Sequence, residues 1–178
     1  MLGVHLKLNI GCHEFRLKGY VNIDMIDGDA VDVVADARKL PHKDNSVDEV
    51  YASHILEHFP HTQTKKVLDE WYRVLKNGGK LKVSVPSFEI MLHVISMVGI
   101  TKWVFDMLWG NQDDEYGFHY VCFSRELLVK NLRSVGFRNI EVVEKLNKNS
   151  KDRSTSVVVS SDKRINGLPV SLNVVAEK

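Results

Sequence analysis

Only two cysteines, Cys12 and Cys122, occur in 178 residues. One pair cannot build the disulfide framework of a small secreted domain, and a reducing cytoplasm is the expected compartment. A bias toward charge of one sign is missing too. The 24 Lys and Arg against 23 Asp and Glu leave a net charge of +1, which offers no broad surface to nucleic acid. No apolar run reaches membrane-spanning length. Residues 89–110 come nearest, but Glu89, His93, Lys102 and Asp106 interrupt them, so the stretch reads as a core or lid helix. The start of the chain is too short and polar for a signal peptide. Repeats and low-complexity tracts are absent from the sequence, and the one shift in composition, NKNSKDR at 147–153, reads as a solvated loop. A glycine-rich phosphate cradle is lacking as well. His13, Glu14 and Arg16 stand where G-x-G-x-x-G would continue after Ile10-Gly11, which excludes the nicotinamide-dinucleotide fingerprint.

What is present describes an ordinary globular chain, 44% hydrophobic and 26% charged, of a length that fits one domain over 1–178. Short apolar runs predict strands at 6–10, 20–23, 31–35, 47–52, 80–85 and 140–143. Over 61–76 the residues Thr64, Val67, Leu68, Trp71, Val74 and Leu75 share one helical face, and Asn77-Gly78-Gly79 is expected to stop that helix. Ser124 is placed to cap a second helix that runs to Val135 and ends at Gly136. Strands alternating with helices predict an α/β sandwich around a mostly parallel sheet. The link from Gly11 to Gly19 barely reaches the ~10–12 residues of a helical crossover, so no full helix is expected between the first two strands.

Ligands in such sheets sit beyond the carboxyl ends of the strands, where Gly11, Asp24, Asp36 and His54 would converge. Gly11 allows the backbone to approach a ligand, and an acid at a second strand tip can accept hydrogen bonds from two ribose hydroxyls. A nucleoside site without a phosphate cradle points to S-adenosylmethionine rather than NAD or ATP.

Four segments, LNIGCHEFRLKGYVNID, DVVADARKLPHKDNSVDEVYASHILEHF, VLDEWYRVLKNGGKLKVSVPSF and FSRELLVKNLRSVGFRNIEVV, come in order between about residues 6 and 143. Together they resemble the class I S-adenosylmethionine-dependent methyltransferases, in particular the small type 11-like group. The resemblance implies a Rossmann-like three-layer sandwich whose last strand is antiparallel, with 172–176 or 155–160 as that strand. It also implies S-adenosylmethionine as cofactor, and Asn9, Gly11, Cys12, Asp24, Met25, Asp36, Ala37, Ser53 and His54 as the residues around it. Asp36 would read the adenine amino group, or else cap the Ala37-Arg38 turn. Ala37 would offer its N–H to a ring nitrogen. His13 stands where the family commonly has a second glycine, and its ring is expected to crowd the methionine end. Asn9 replaces an acid common in this strand. Cys12 also reads as a small packing residue.

Ser53-His54-Ile55-Leu56-Glu57-His58 carries the H-x-L-E-H signature that follows the fourth strand in many relatives. Two histidines four apart could hold zinc, but the acid adjoins the second histidine and no third ligand is evident, so no metal is expected. Tyr116-Gly117-Phe118-His119-Tyr120 fits either a substrate pocket or an aromatic plug at the sheet edge. His119 and His58 are the candidate catalytic bases. Trp103, Phe105, Met107 and Trp109 lie in the stretch 87–123, a helical insert or lid, and read as core or as an apolar cover. The reaction expected is methyl transfer to a small-molecule or glycan-type acceptor, and the competing reading is a non-catalytic S-adenosylmethionine-fold module that binds a partner protein.

Overall fold

The computed structural model describes residues 5–146 and 170–178, with the backbone of 158–159 and 164–165. Its elements run β1 (Lys7–Ile10), β2 (Val21–Asp24), β3 (Val33–Val34), β4 (Val47–Ser53), a 3₁₀ turn (Leu56–His58), α1 (His61–Val74) and β5 (Leu75–Pro86). Then follow α2 (Phe88–Val98), α3 (Lys102–Trp109), α4 (Arg125–Val135), β6 (Arg138–Val143), β7 (Val158–Val159), β8 (Arg164–Ile165) and β9 (Ser171–Glu177). Seven strands form one sheet in the order β3-β2-β1-β4-β5-β9-β6. All pairs from β3 to β5 are parallel, and β9 enters antiparallel between β5 and β6. The final strand is therefore the 172–176 candidate, extended by one residue at each end. Of the competing stretch, Val158–Val159 pairs with Arg164–Ile165 in a separate ladder and the remainder lies outside the described residues.

The register explains the two faces of the sheet. Leu8 and Ile10 align with Val50 and Ala52, these with Leu81 and Val83, and these with Ala176 and Val174, so one face is a continuous apolar surface. The helices α1 and α4 bring Val67, Leu68, Trp71, Leu128 and Leu132 into the same buried cluster. Burying side chains of this size stabilises by about 1.5–3 kcal/mol each, before ordering costs. The alternate positions are polar: Asn9, Asn22, Glu49, Ser84 and Asn173 are buried on the opposite face. Ser84 aside, each brings partners. Lys82 Nζ stands 3.0 Å from Glu49, whose carboxylate also accepts the Tyr20 hydroxyl. The α2–α3 pair forms a separate apolar cluster with Val170.

Several boundaries differ from the periodicity. The helix over 61–76 ends at Val74, because Leu75 is already extended and begins β5. Gly78, at φ +77°, lies inside that strand rather than terminating a helix, in an irregularity where β4 and β5 change register between Val47 and Glu49. Ser124 does cap α4, accepting from the Leu127 N–H, and Gly136 ends it at φ +115°. The 11–19 link carries no helix. On α3 the spacing of 103, 105, 107 and 109 does not follow a helical period. Val104 and Leu108 turn inward, Trp103 and Met107 pack at the margin, and Phe105 and Trp109 stay exposed. No helix among the described residues is long and apolar enough to cross a membrane.

Candidate active site

Strands β1, β2 and β4 end at one edge of the sheet, and the turns that leave them carry most of the predicted site residues. Gly11 leaves β1 at φ +69°, donating its N–H to the Ile23 carbonyl at 2.8 Å. A Cβ here would overlap the end of the Ile55 side chain and lie 2.9 Å from Ile55 Cβ. Glycine is thus required twice, by the left-handed backbone and by the turn after β4 that leans on it. Asp24 ends β2. One carboxylate oxygen accepts the His13 N–H at 2.7 Å and the other the Ile26 N–H at 3.0 Å. Each oxygen keeps lone-pair capacity for a further donor. Met25 and Ile26 expose apolar side chains beside it.

His13 adopts φ +46° with an exposed side chain. A glycine would be comfortable at this position for backbone reasons alone. Asn9 is buried beneath the loop, its amide donating to the Phe15 carbonyl and to Asn22 Oδ1, both at 2.9 Å. These bonds brace the loop against β2. Cys12 is buried as well, and burial together with the charge of Asp24 pushes its thiol up to about 11, so it is no thiolate. Asp36 is engaged by Arg38, whose Nε lies 3.0 Å from both carboxylate oxygens and whose N–H donates at 2.8 Å. The Arg38 guanidinium holds the Asp36 carboxyl below its ordinary value, against opposing burial. The turn-fixing role named for Asp36 is thus present in the structure. Ala37 is buried, and its carbonyl accepts the Trp71 indole N–H at 3.1 Å.

The turn after β4 gathers the histidines. Ser53 Oγ is buried with no hydrogen-bond partner among the described residues. His54, at φ +54°, sets Nε2 2.9 Å from Ser171 Oγ and Nδ1 3.2 Å from Glu57 Oε1. Beyond this contact, neither Glu57 oxygen meets a donor among the described residues. Glu57 has 0% side-chain exposure. Burial alone would raise its carboxyl, but the close contact with His54, joined by the charges of His54, His58 and His119, outweighs burial and holds it below its ordinary value. His58 Nδ1 lies 3.0 Å from the Phe118 carbonyl, and His119 Nδ1 lies 3.0 Å from the Met107 carbonyl. The two rings meet edge to face with centroids 4.6 Å apart. Burial lowers the His119 pKa, although the Glu57 charge opposes it.

Sequence spacing offered His54 and His58 as a possible zinc pair. The fold instead brings together Glu57, His58 and His119, whose ligand atoms lie within 4.8 Å of one another, and leaves His54 outside that cluster. Nothing in the spacing of positions 58 and 119 signals this, since the α2–α3 segment separates them. A shallow groove on α3, lined by Ile100, Thr101, Lys102, Phe105, Asp106 and Asn111, shares no residue with the strand-end constellation.

Residues 18–83 match the family described as a methyltransferase domain. Among solved structures, an S-adenosylmethionine-dependent methyltransferase from Archaeoglobus fulgidus aligns over 99% of this chain and 87% of its own, with 20% identity and a TM-score of 0.61. Another from Methanosarcina mazei aligns over 99% and 94%, with 17% identity and a TM-score of 0.62. At these identities the likeness is one of fold. No curated protein matches the chain by sequence.

Proposed function

From the premise that this chain has the class I S-adenosylmethionine-dependent methyltransferase fold, with a methyltransferase-domain match over 18–83, we propose that it transfers a methyl group to an acceptor of small-molecule or glycan type. Its cofactor is S-adenosylmethionine. The observation that carries the reading is Asp24 at the tip of β2, fixed by two backbone donors with capacity left on both oxygens.

The residues present fit that cofactor. Asp24 would take the ribose hydroxyls, and the exposed Met25 would flank the adenine. Asp36 is already paired with Arg38, so its contribution to adenine is to fix the turn that presents the Ala37 N–H. Ser53 has an orphaned buried hydroxyl at the carboxyl end of β4, suited to a polar group at the methionine end. Asn9, Gly11 and Cys12 form and brace the turn beneath. When bound, the cofactor supplies an electrophilic sulfonium methyl. The chain's own task is alignment and exclusion of water. His119 and His58 are the proton acceptors we assign to an acceptor hydroxyl or amine. A carbonyl can only accept, so each Nδ1 carries a proton, and in its neutral form each ring keeps a lone pair on Nε2.

We assign the α2–α3 stretch within 87–123 as the cover of the acceptor site, in a single domain. The two unpaired thiols, Cys12 and Cys122, suit a reducing cytoplasm. The test is incubation with methyl-labelled S-adenosylmethionine and a metabolite extract. Label should move into acceptor with the wild type and at least tenfold less with Asp24→Ala. Label that stays in the cofactor for both, while wild type binds it, would favour a non-catalytic binding module.

A further inference from the structure

We propose that Glu57, His58 and His119 form a binding site for one divalent transition-metal ion of the zinc class. Three observations converge. Candidate ligand atoms from the three side chains lie within 4.8 Å of one another. Ligand atoms around a tetrahedral ion at ~2.0–2.2 Å stand roughly 3.4 Å apart, so closure needs side-chain shifts on the order of 1 Å. Both histidines are preset for ligation, because Phe118 and Met107 carbonyls hold the Nδ1 protons and leave Nε2 with its lone pair. The Glu57 carboxylate is fully buried, and beyond His54 Nδ1 at 3.2 Å neither oxygen meets a donor among the described residues. An anion so placed calls for a cation, either a bound metal ion or a protonated imidazole beside it.

Two histidines and a carboxylate, with the fourth position open, form a donor set that suits zinc. His54 completes the arrangement from outside, its Nδ1 facing Glu57 Oε1 and its Nε2 held by Ser171. It is a positioning residue for the carboxylate. A bound ion would join the loop that carries His119 to the 3₁₀ turn that carries Glu57 and His58. One backbone bond, Tyr120 N–H to the Glu57 carbonyl at 2.8 Å, already ties the same two segments. Metal binding does not rest on the methyl-transfer reading. Only its extension does, in which an acceptor oxygen, nitrogen or sulfur takes the open position; the ion then occupies the Nε2 lone pairs and replaces His58 and His119 in activating the acceptor.

The competing arrangement is a protonated His54 paired with Glu57 and no metal. Full-length protein, stripped with chelator and titrated with Co²⁺ in the absence of S-adenosylmethionine, separates the two. The expected result is one equivalent bound with the visible absorption of tetrahedral cobalt, displaced by Zn²⁺. Glu57→Gln and His119→Ala should abolish stoichiometric binding, and His54→Ala should weaken it about 10–100-fold, as loss of an outer-shell partner does. His119→Cys keeps a ligand and should restore a tetrahedral spectrum with a thiolate charge-transfer band. His93→Ala, on an exposed face of α2, should bind as wild type does. Absence of stoichiometric binding by folded wild type overturns the proposal, as does binding that His119→Ala and Glu57→Gln leave unchanged.

Discussion

The Asp24 carboxylate accepts the backbone N–H of His13 at 2.7 Å, so the acid expected to meet the ribose also fixes the loop that leaves β1. One side chain thus links the carboxyl ends of two neighbouring strands. His13 enters this relationship through its backbone, while its ring remains exposed.

Removing that carboxylate should act on both roles. Asp24→Ala is expected to weaken S-adenosylmethionine binding by roughly 1.5–3 kcal/mol, the value of hydrogen bonds to a charged group. Amide exchange at His13 and Ile26 should accelerate in the same variant. Asp24→Asn keeps one acceptor oxygen and should fall between the two. Affinity measured by calorimetry, unchanged in both variants, would remove Asp24 from the cofactor site.

Gly11 is the position least tolerant of a methyl group. Gly11→Ala should cost about 1–2 kcal/mol for the left-handed backbone, with the overlap against Ile55 added. In the double variant with Ile55→Ala, the overlap with the chain end disappears while the backbone cost and the Cβ contact remain. Urea denaturation should therefore show partial recovery, and full recovery would mean that the backbone term is negligible.

Much of this was legible in the sequence, and the exceptions share a cause. Strand positions, the missing helix over 11–19 and the Ser124–Gly136 helix follow from local patterns: apolar runs, link length, a cap and a glycine. The start of β5 at Leu75 was hidden because Asn77-Gly78-Gly79 has the composition of a helix stop, and only pairing with β4 draws it into a strand. Asp36 offered two readings that spacing could not separate, since Arg38 closes on it through space. The Glu57–His58–His119 cluster joins positions about sixty residues apart, brought together by the α2–α3 packing rather than by any motif.

Acid sensitivity should follow from the same cluster. His119 faces Glu57, His58, His54 and the Met107 carbonyl, and its folded pKa lies below the ordinary 6.5. Between the folded value and 6.5 the unfolded chain binds more protons, so stability falls as pH drops through 6.5, and the loss is complete below the folded value. His42, lowered by burial, adds to the same limb. Glu57 acts at lower pH: its contribution is intact above its unfolded value of 4.5 and is lost as pH falls through its folded value. In chelator-stripped protein, unfolding free energies between about pH 5.5 and 7.5 should fall less steeply in His119→Gln and in His42→Gln than in wild type. Identical slopes in all three proteins would contradict the assignment.

The central claim is that the carboxyl ends of β1, β2 and β4 form a site for S-adenosylmethionine, and isothermal titration of the wild-type protein with the cofactor and its demethylated product addresses it most directly. The account predicts saturable binding of both at one site per chain, with Asp24→Ala shifted roughly 10–150-fold weaker. Folded wild-type protein that binds neither compound would contradict it.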